Sequence, residues 1–471
     1  MKTFRVYSIF MLFIAGVLSP SASNSQAPGG VQNPMEWKVD WDDNSQEEHG
    51  HERFNFHPYQ FFTEDRGYAE VPLENFKKIS LFMVYSSKSK TTIGSVNTGE
   101  RKVLLSKNKL ISRREFELKE MSKPQFITFI ESMPTGTIHK NESPSVLIGS
   151  KHAEDEWFEG GVAELIVYDR LLSKKQRRKV ESYLSMKYGL SLPTSADYYL
   201  SNGSIIRHAD TNGPFNSFVT AIGRDDGSGL YQKQSMNLHS DVDLRIGLGN
   251  VSLKNIDNAS SLNNESFLFW ADDNKAAQFE NINSKLPRSW ELNFYGEDVH
   301  QKTWHIQVDA NTLGNMNADL PFYLIIGDDE RMDDNEALRQ VEMKKNNEGF
   351  FECYVKLDNN NSGRDYLSFT QQKLDQLQNE TDTDDLFPSY ATDGVFPNPV
   401  RKGELFYLGI QDVLDKEVLV EIFNVNSQLV SSKNVKSTGS IEYSNALIVA
   451  GQYTVKVSGD KTRKSYKLIV Q

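Results

Sequence analysis

Two carboxylates facing one cleft would make a glycoside hydrolase, and a retaining reaction needs them about 5–5.5 Å apart. In laminarinase-like enzymes the pair sits on one strand as Glu-x-Asp-x-x-Glu, where residues two apart share a face. The pattern is absent. The nearest cluster, Glu154-Asp155-Glu156, has the wrong spacing and falls in a predicted loop. Trp157 beside Glu156 pairs an aromatic face with a carboxylate, a combination that can hold a sugar by stacking and hydrogen bonding. Trp37 and Trp41 are further platforms, and packing in a core or at an edge is the alternative use for all three.

Metal chemistry has fewer candidates. Asp328-Asp329-Glu330, with Asp333, Asp334 and Glu336, is the densest run of acids and follows an apolar strand. Calcium takes about 6–8 oxygen ligands, so Asp328, Asp329, Glu330 and Asp333 are the candidate ligands, against a merely solvated connection. His49-Gly50-His51 offers two imidazoles, but zinc wants four ligands and no others are marked. Asp225-Asp226-Gly227-Ser228-Gly229 lacks the alternating acids and distal Glu of a calcium loop and reads as a tight turn. The single cysteine, Cys353, lies in a strand-like run, so no intrachain disulfide forms and a buried inert thiol is expected. No phosphate loop, nucleotide fingerprint, Cys–His pair or nucleophile elbow is present. No catalytic residue is assigned, and calcium is the one cofactor left open.

The elements that would position such residues are nearly all strands. Ile79–Tyr85, Phe126–Ile130, Val146–Ile148 and Val162–Tyr168 have strand length and composition. Several are apolar on both faces, as central strands of packed sheets must be. One helix is predicted over 174–188. Ser173 with Gln176 three residues on forms a capping box. Val180, Tyr183, Leu184 and Tyr188 make its apolar face, and Gly189 with Pro193 ends it. Residues 198–370 read as a second β region, with strands such as Asp243–Leu248, Ser266–Ala271, Lys302–Val308 and Pro321–Ile326. Residues 371–394 are polar and acidic and read as a linker. The last module alternates with period two, Tyr453, Val455 and Val457 facing one way, as a small antiparallel sandwich requires.

Composition narrows the function classes. The 471 residues include 38% hydrophobic and 25% charged, ordinary for a globular protein of several domains. A formal net charge of -12 disfavours nucleic acid, which needs a basic surface. Residues 1–23 read as a signal peptide, with Lys2 and Arg5, an apolar run Val6–Leu18, and small residues at Ser21-Ala22-Ser23. The apolar run is too short to span a bilayer, and no later segment is long enough.

Two resemblances follow from these residues. The run Phe158–Ser173, with Val180–Leu184 and Lys187–Leu192, resembles the closing strand and helix of a laminin-G-like, concanavalin-A-like jelly roll of bacterial surface proteins. Asn55-Phe56-His57-Pro58 resembles an early segment of that module, which would be degenerate here. The run Ala221–Ser235 is similar to a segment that follows the jelly roll in such proteins. The C-terminal module resembles the type A sorting domain of the type IX secretion system, through Pro397, Asn398 and Pro399, the strand motifs around Gly451 and Tyr453, and the ending Lys467-Leu468-Ile469-Val470-Gln471. Ser427 stands where that family often has Gly, with Asn424 and Asn426 beside it to supply turn geometry. The resemblance implies type IX machinery as a partner, and export to the outer-membrane surface or beyond.

The expected organisation is all-β: signal peptide 1–23, polar lead-in 24–53, jelly roll 54–193 closed by helix 174–188, second β-sandwich 198–370, linker 371–394 and sorting domain 395–471. The expected function is a non-catalytic surface or secreted protein for adhesion, or for binding a glycan or protein. A polysaccharide-degrading enzyme, its accessory module, or a structural surface-layer component are the alternatives.

Overall fold

The strand Gly160–Tyr168 is buried along its whole length and has a different neighbour on each face. The computed structural model describes residues 26–39, 53–373 and 394–471 apart from short stretches, the longest at 133–142, 150–157 and 333–337. The described residues fall into two compact units, divided between Leu377 and Gln378.

In the first unit, Gly160–Tyr168 lies between Glu36–Lys38 and Lys78–Ser87, with Gln125–Ser132 outermost and Gln60–Phe62 also paired to it. A six-stranded antiparallel sheet packs on one side of this layer. Its order is Tyr68–Pro72, Ser145–Gly149, Thr92–Asn97, Lys102–Ser106, Lys109–Ile111, Glu115–Glu117. Leu165 and Val167 point into the core between these sheets, with Leu81, Met83, Ile93 and Ile148. Ile166 and Tyr168, one residue out of phase, join a second core with Val180, Tyr183 and Leu184 of the helix. The strand runs of the sequence are apolar on both faces because both faces are covered.

The helix spans Lys174–Tyr188. Ser173 Oγ accepts from the Gln176 backbone at 3.3 Å while the Ser173 backbone donates to Gln176 Oε1 at 3.0 Å, so the capping box closes. Gly189 ends the helix at φ +59°, and a Cβ there would sit 2.0 Å from the Met236 carbonyl oxygen. The helix is therefore the wedge between two β layers. Its core includes Val219, Ala221, Phe267 and Phe269 from the second region as well as the strands of the first.

That second region is an eleven-stranded antiparallel sheet that folds over on itself around a core containing Trp270, Trp304, Ile306, Phe322 and Phe369. Its two end strands, Leu230–Gln232 and Gln234–Met236, are consecutive in the chain and separated only by Lys233. The seam of the folded sheet is thus a single residue wide.

The second unit pairs a three-stranded sheet (Gly394–Phe396, Leu405–Ile410, Ile441–Ala446) with a four-stranded one. The latter is ordered Leu429–Lys436, Glu417–Asn424, Gly451–Ser458, Arg463–Val470. Asn398 fastens its entry to its exit: the side-chain amide donates to the Lys467 carbonyl at 2.6 Å, and the side-chain oxygen accepts from the Ile469 backbone at 2.9 Å. The Val400 backbone then donates to the Ile469 carbonyl and accepts from the Gln471 backbone. Ser427 adopts φ +61°, the left-handed conformation that explains the frequent glycine there. The Asn424 side chain accepts from the Asn426 and Gln428 backbones and holds the turn. Ser427→Gly removes a Cβ strain of about 1–2 kcal/mol against the extra freedom glycine has when unfolded. It should stabilise this unit by roughly 0.5–1 kcal/mol, read as slower hydrogen exchange across its strands. Unchanged or faster exchange would show that the turn carries no strain.

Candidate functional site

Glu164 is the one charge in the Gly160–Tyr168 strand, and its side chain has no exposed surface. The register against Lys78–Ser87 shifts between Val162 and Glu164. That bulge breaks the alternation, so Ala163 and then Glu164 both turn toward the helix. Four donors meet the carboxylate. Lys187 Nζ and the Tyr188 hydroxyl reach Oε2 at 2.8 Å each, the Tyr183 hydroxyl reaches it at 3.4 Å, and Trp37 Nε1 reaches Oε1 at 2.7 Å. Burial, with Glu164 beside it, holds the Tyr183 hydroxyl protonated well above the ordinary tyrosine range. Tyr183 and Lys187, four residues apart, share a helix face, and Tyr188 reaches the carboxylate as the last residue of the helix.

Asn55, fully buried, extends this hub toward the seam. It donates to the Lys187 carbonyl at 3.0 Å and to Ser235 Oγ at 2.8 Å, and accepts from the Met236 backbone at 2.8 Å. Asn55 and Phe56 both take positive φ, +50° and +67°. A bulky residue in that conformation is strained and persists only where its surroundings fix it. The Phe56 carbonyl accepts from the Asn255 backbone at 3.0 Å. Asn255 in turn donates to the Tyr231 carbonyl and accepts from the Lys233 backbone. His57 follows. The Gln232 side-chain nitrogen donates to the carbonyls of Gln234 and Asn55, so Gln232 Oε1 faces His57 and His57 Nε2, 2.6 Å away, must carry the proton. Nδ1 is left as an acceptor.

These residues wall a cleft of about 520 Å³ at the seam. Phe56, His57, Tyr188 and Tyr231 line it with Lys187, Lys233 and Lys254; Tyr188 is buried, and the Lys187 ammonium is taken up by Glu164 and the Tyr183 hydroxyl. Among the described residues no carboxylate lines it. The Lys233 ammonium lies 5.2 Å from the centre of the Tyr231 ring and donates to the Asn258 carbonyl. Such a wall can stack on a ligand, donate from lysines and accept at His57.

The residues singled out in the sequence lie elsewhere. Trp157, Glu156, Asp333, Asp334, Glu336, Trp41, His49, His51 and Pro397 fall outside the described residues. Asp328, Asp329 and Glu330 are exposed just past the strand Phe322–Gly327, and no three potential metal ligands converge among the described residues. Asp225 is buried and accepts from the Ser201 backbone and hydroxyl, which fits a turn. Trp37 is no sugar platform. Its indole nitrogen is committed to Glu164, and its ring meets Tyr183 edge-on at 6.3 Å. Cys353 is buried, and burial pushes its thiol up to about 12. In the second unit, Asn398 and Lys467 meet directly, and the Tyr453 hydroxyl donates to the Val449 carbonyl at 2.7 Å. The hub and the cleft escaped sequence reasoning. One signal was present: a lone acid in an otherwise apolar strand.

Residues 394–471 match the family described as the secretion system C-terminal sorting domain. This decides the destination. The sorting domain marks the chain for handling by type IX machinery and export to the cell surface or the extracellular space. No helix among the described residues is long and apolar enough to cross a membrane. Residues 176–362 match a domain of unknown function, DUF8202, which takes in the helix and the seam but not Asn55 or His57. No curated protein matches. Among solved structures, the receptor binding domain of botulinum neurotoxin D is 11% identical, covering 72% of this chain and 94% of that one with a TM-score of 0.25. A mutant of the NanB sialidase from Streptococcus pneumoniae is 8% identical, covering 93% and 82% with a TM-score of 0.21. Likeness this slight carries nothing to function.

Two measurements test the hub. Glu164→Gln leaves a buried ammonium without its counter-charge and should cost about 3–5 kcal/mol in denaturant unfolding, with Glu164→Gln/Lys187→Met together costing less than the first change alone. A cost equal to the sum of the two single changes would show that the two groups do not depend on each other. His57 is held neutral: burial, then the Lys187 charge, push its pKa down from 6.5 to about 3 against the Gln232 hydrogen bond. Between those values the unfolded chain binds a proton that the native state does not, so stability contributed here falls as pH drops through the window. Burial lifts Asp272 and Asp365 to about 6, which gives the opposite slope, so the readout is a difference between proteins. From about pH 7 to about pH 4, His57→Gln should lose less stability than the parent by roughly 1 kcal/mol or more. Parallel curves would show that His57 titrates normally in the fold.

Proposed function

We propose that this exported protein is a non-catalytic glycan-binding protein of the cell surface, and that the seam cleft is its binding site. The carrying observation is the lining itself: the half-buried Tyr231 ring beside lysine donors and the His57 acceptor. Sugars are bound by that combination of apolar faces and a few fixed polar groups. The N-terminal two-sheet layer, in this reading, is a degenerate laminin-G-like jelly roll whose outer face has become the support for the helix and the cleft. The strained Asn55-Phe56 backbone fits a site whose geometry is set before the ligand arrives. Adhesion is the use to which a surface protein would put such a site.

The test is a glycan array with the full mature chain, with and without calcium. Tyr231→Ala should reduce binding of the captured glycan by about tenfold or more. Ile256→Trp, a change at an exposed rim position, should do so without disturbing packing. Tyr354→Ala, an exposed tyrosine three strands away across the folded sheet, should leave binding unchanged. An empty array, or binding sensitive to Tyr354 and indifferent to the cleft, would overturn the reading.

A further inference from the structure

We infer that the cleft selects an anionic sugar chain, one carrying carboxylate or sulfate groups, over a neutral one. This rests on the glycan-binding reading and names the ligand's chemistry. The chain as a whole is acidic, at a formal -12, yet this wall carries three lysines and, among the described residues, no acid. The three come from different places: Lys187 from the end of the helix, Lys233 from the one-residue seam, and Lys254 from the connection that follows Leu244–Leu248. A chance surface run would instead put them side by side in sequence.

Their charges are not equally spent. Lys187 is matched by Glu164 at 2.8 Å. Lys233 donates to a carbonyl oxygen and lies beside a ring. Partial burial lowers its proton affinity, and Asp257 offsets this only in part. A cation half withdrawn from water gains most from an arriving anion, because screening by solvent is already reduced. Asn258 and Asn255 hold the Lys233 side chain and backbone in place, so little ordering remains to be done on binding. The other cleft features suit a sugar rather than a bare anion. His57 Nδ1 can accept from a hydroxyl while a lysine takes the acid group, and the half-buried Tyr231 ring adds an apolar wall.

The experiment uses the full mature chain and calorimetric titration with four probes. These are oligogalacturonate, the same oligomer as its methyl ester, a sulfated galactan oligomer and a neutral β-glucan oligomer. The expected result is binding of at least one acidic oligomer, at least tenfold weaker binding of the methyl ester and the neutral glucan, and affinity that falls with added salt. The carboxylated and sulfated arms tell which anion is preferred. Lys233→Gln and Lys254→Gln should each weaken acidic-oligomer binding by roughly tenfold while leaving the salt-insensitive part of any neutral binding in place. Equal affinity for the acid and its ester, or preference for the neutral glucan, overturns the inference and leaves the glycan-binding reading standing. Binding of none of the four overturns the inference, and an empty array beside it removes the reading as well. Because the ester comparison uses the unaltered protein, a lysine variant that fails to fold does not rescue the idea.

Discussion

A carboxylate without access to water must have its charge answered by neighbours, and Glu164 is answered by four side chains from two directions. That requirement fixes the helix against the strand behind it. The desolvation of two ions is costly enough that the pair adds little net stability over well-packed apolar groups. Its value lies in register: Lys187, Tyr183 and Tyr188 can all reach Glu164 only when the helix sits at one rotation and one height. Two apolar surfaces would tolerate several.

From that fixed helix the rest of the site follows by short steps. The Lys187 carbonyl receives Asn55, Asn55 receives the Met236 backbone, and Met236 ends the strand that begins just past Lys233. Gly189 permits the close approach, since any side chain there would strike Met236. The folded-over sheet could close in many ways. It closes here with one residue between its ends because Asn255 satisfies both the Lys233 nitrogen and the Tyr231 carbonyl. The cleft is the space left where three walls, each locked to the next by buried amides, do not quite meet.

Much of the scaffold was legible in the sequence, because its signals are local. The capping box at Ser173 and Gln176 and the stop at Gly189 lie within one helix. Strands apolar on both faces announced sheets covered on both sides, though not that a helix did the covering. Ser427 and Asn424 showed a turn under constraint. The hub was not legible. Glu164 and Trp37 are 127 residues apart, and Asn55 and Met236 are 181 apart. No period or spacing links such residues, and nothing in the sequence around Trp37 names the partner it packs on. The acidic clusters that stood out most are exposed where they are described, since a polar run is conspicuous in a sequence for the same reason it is solvated in a fold. The site is made instead of single polar residues set in apolar surroundings.

The fastening at Asn398 has a consequence for synthesis. Its partners are the backbone of Lys467 and Ile469, and the strand they belong to is the last of its sheet to be made. The ribosome must therefore have passed the final strand before the first residues of the module can be clasped. A nascent chain interrupted anywhere upstream would carry an unclosed module.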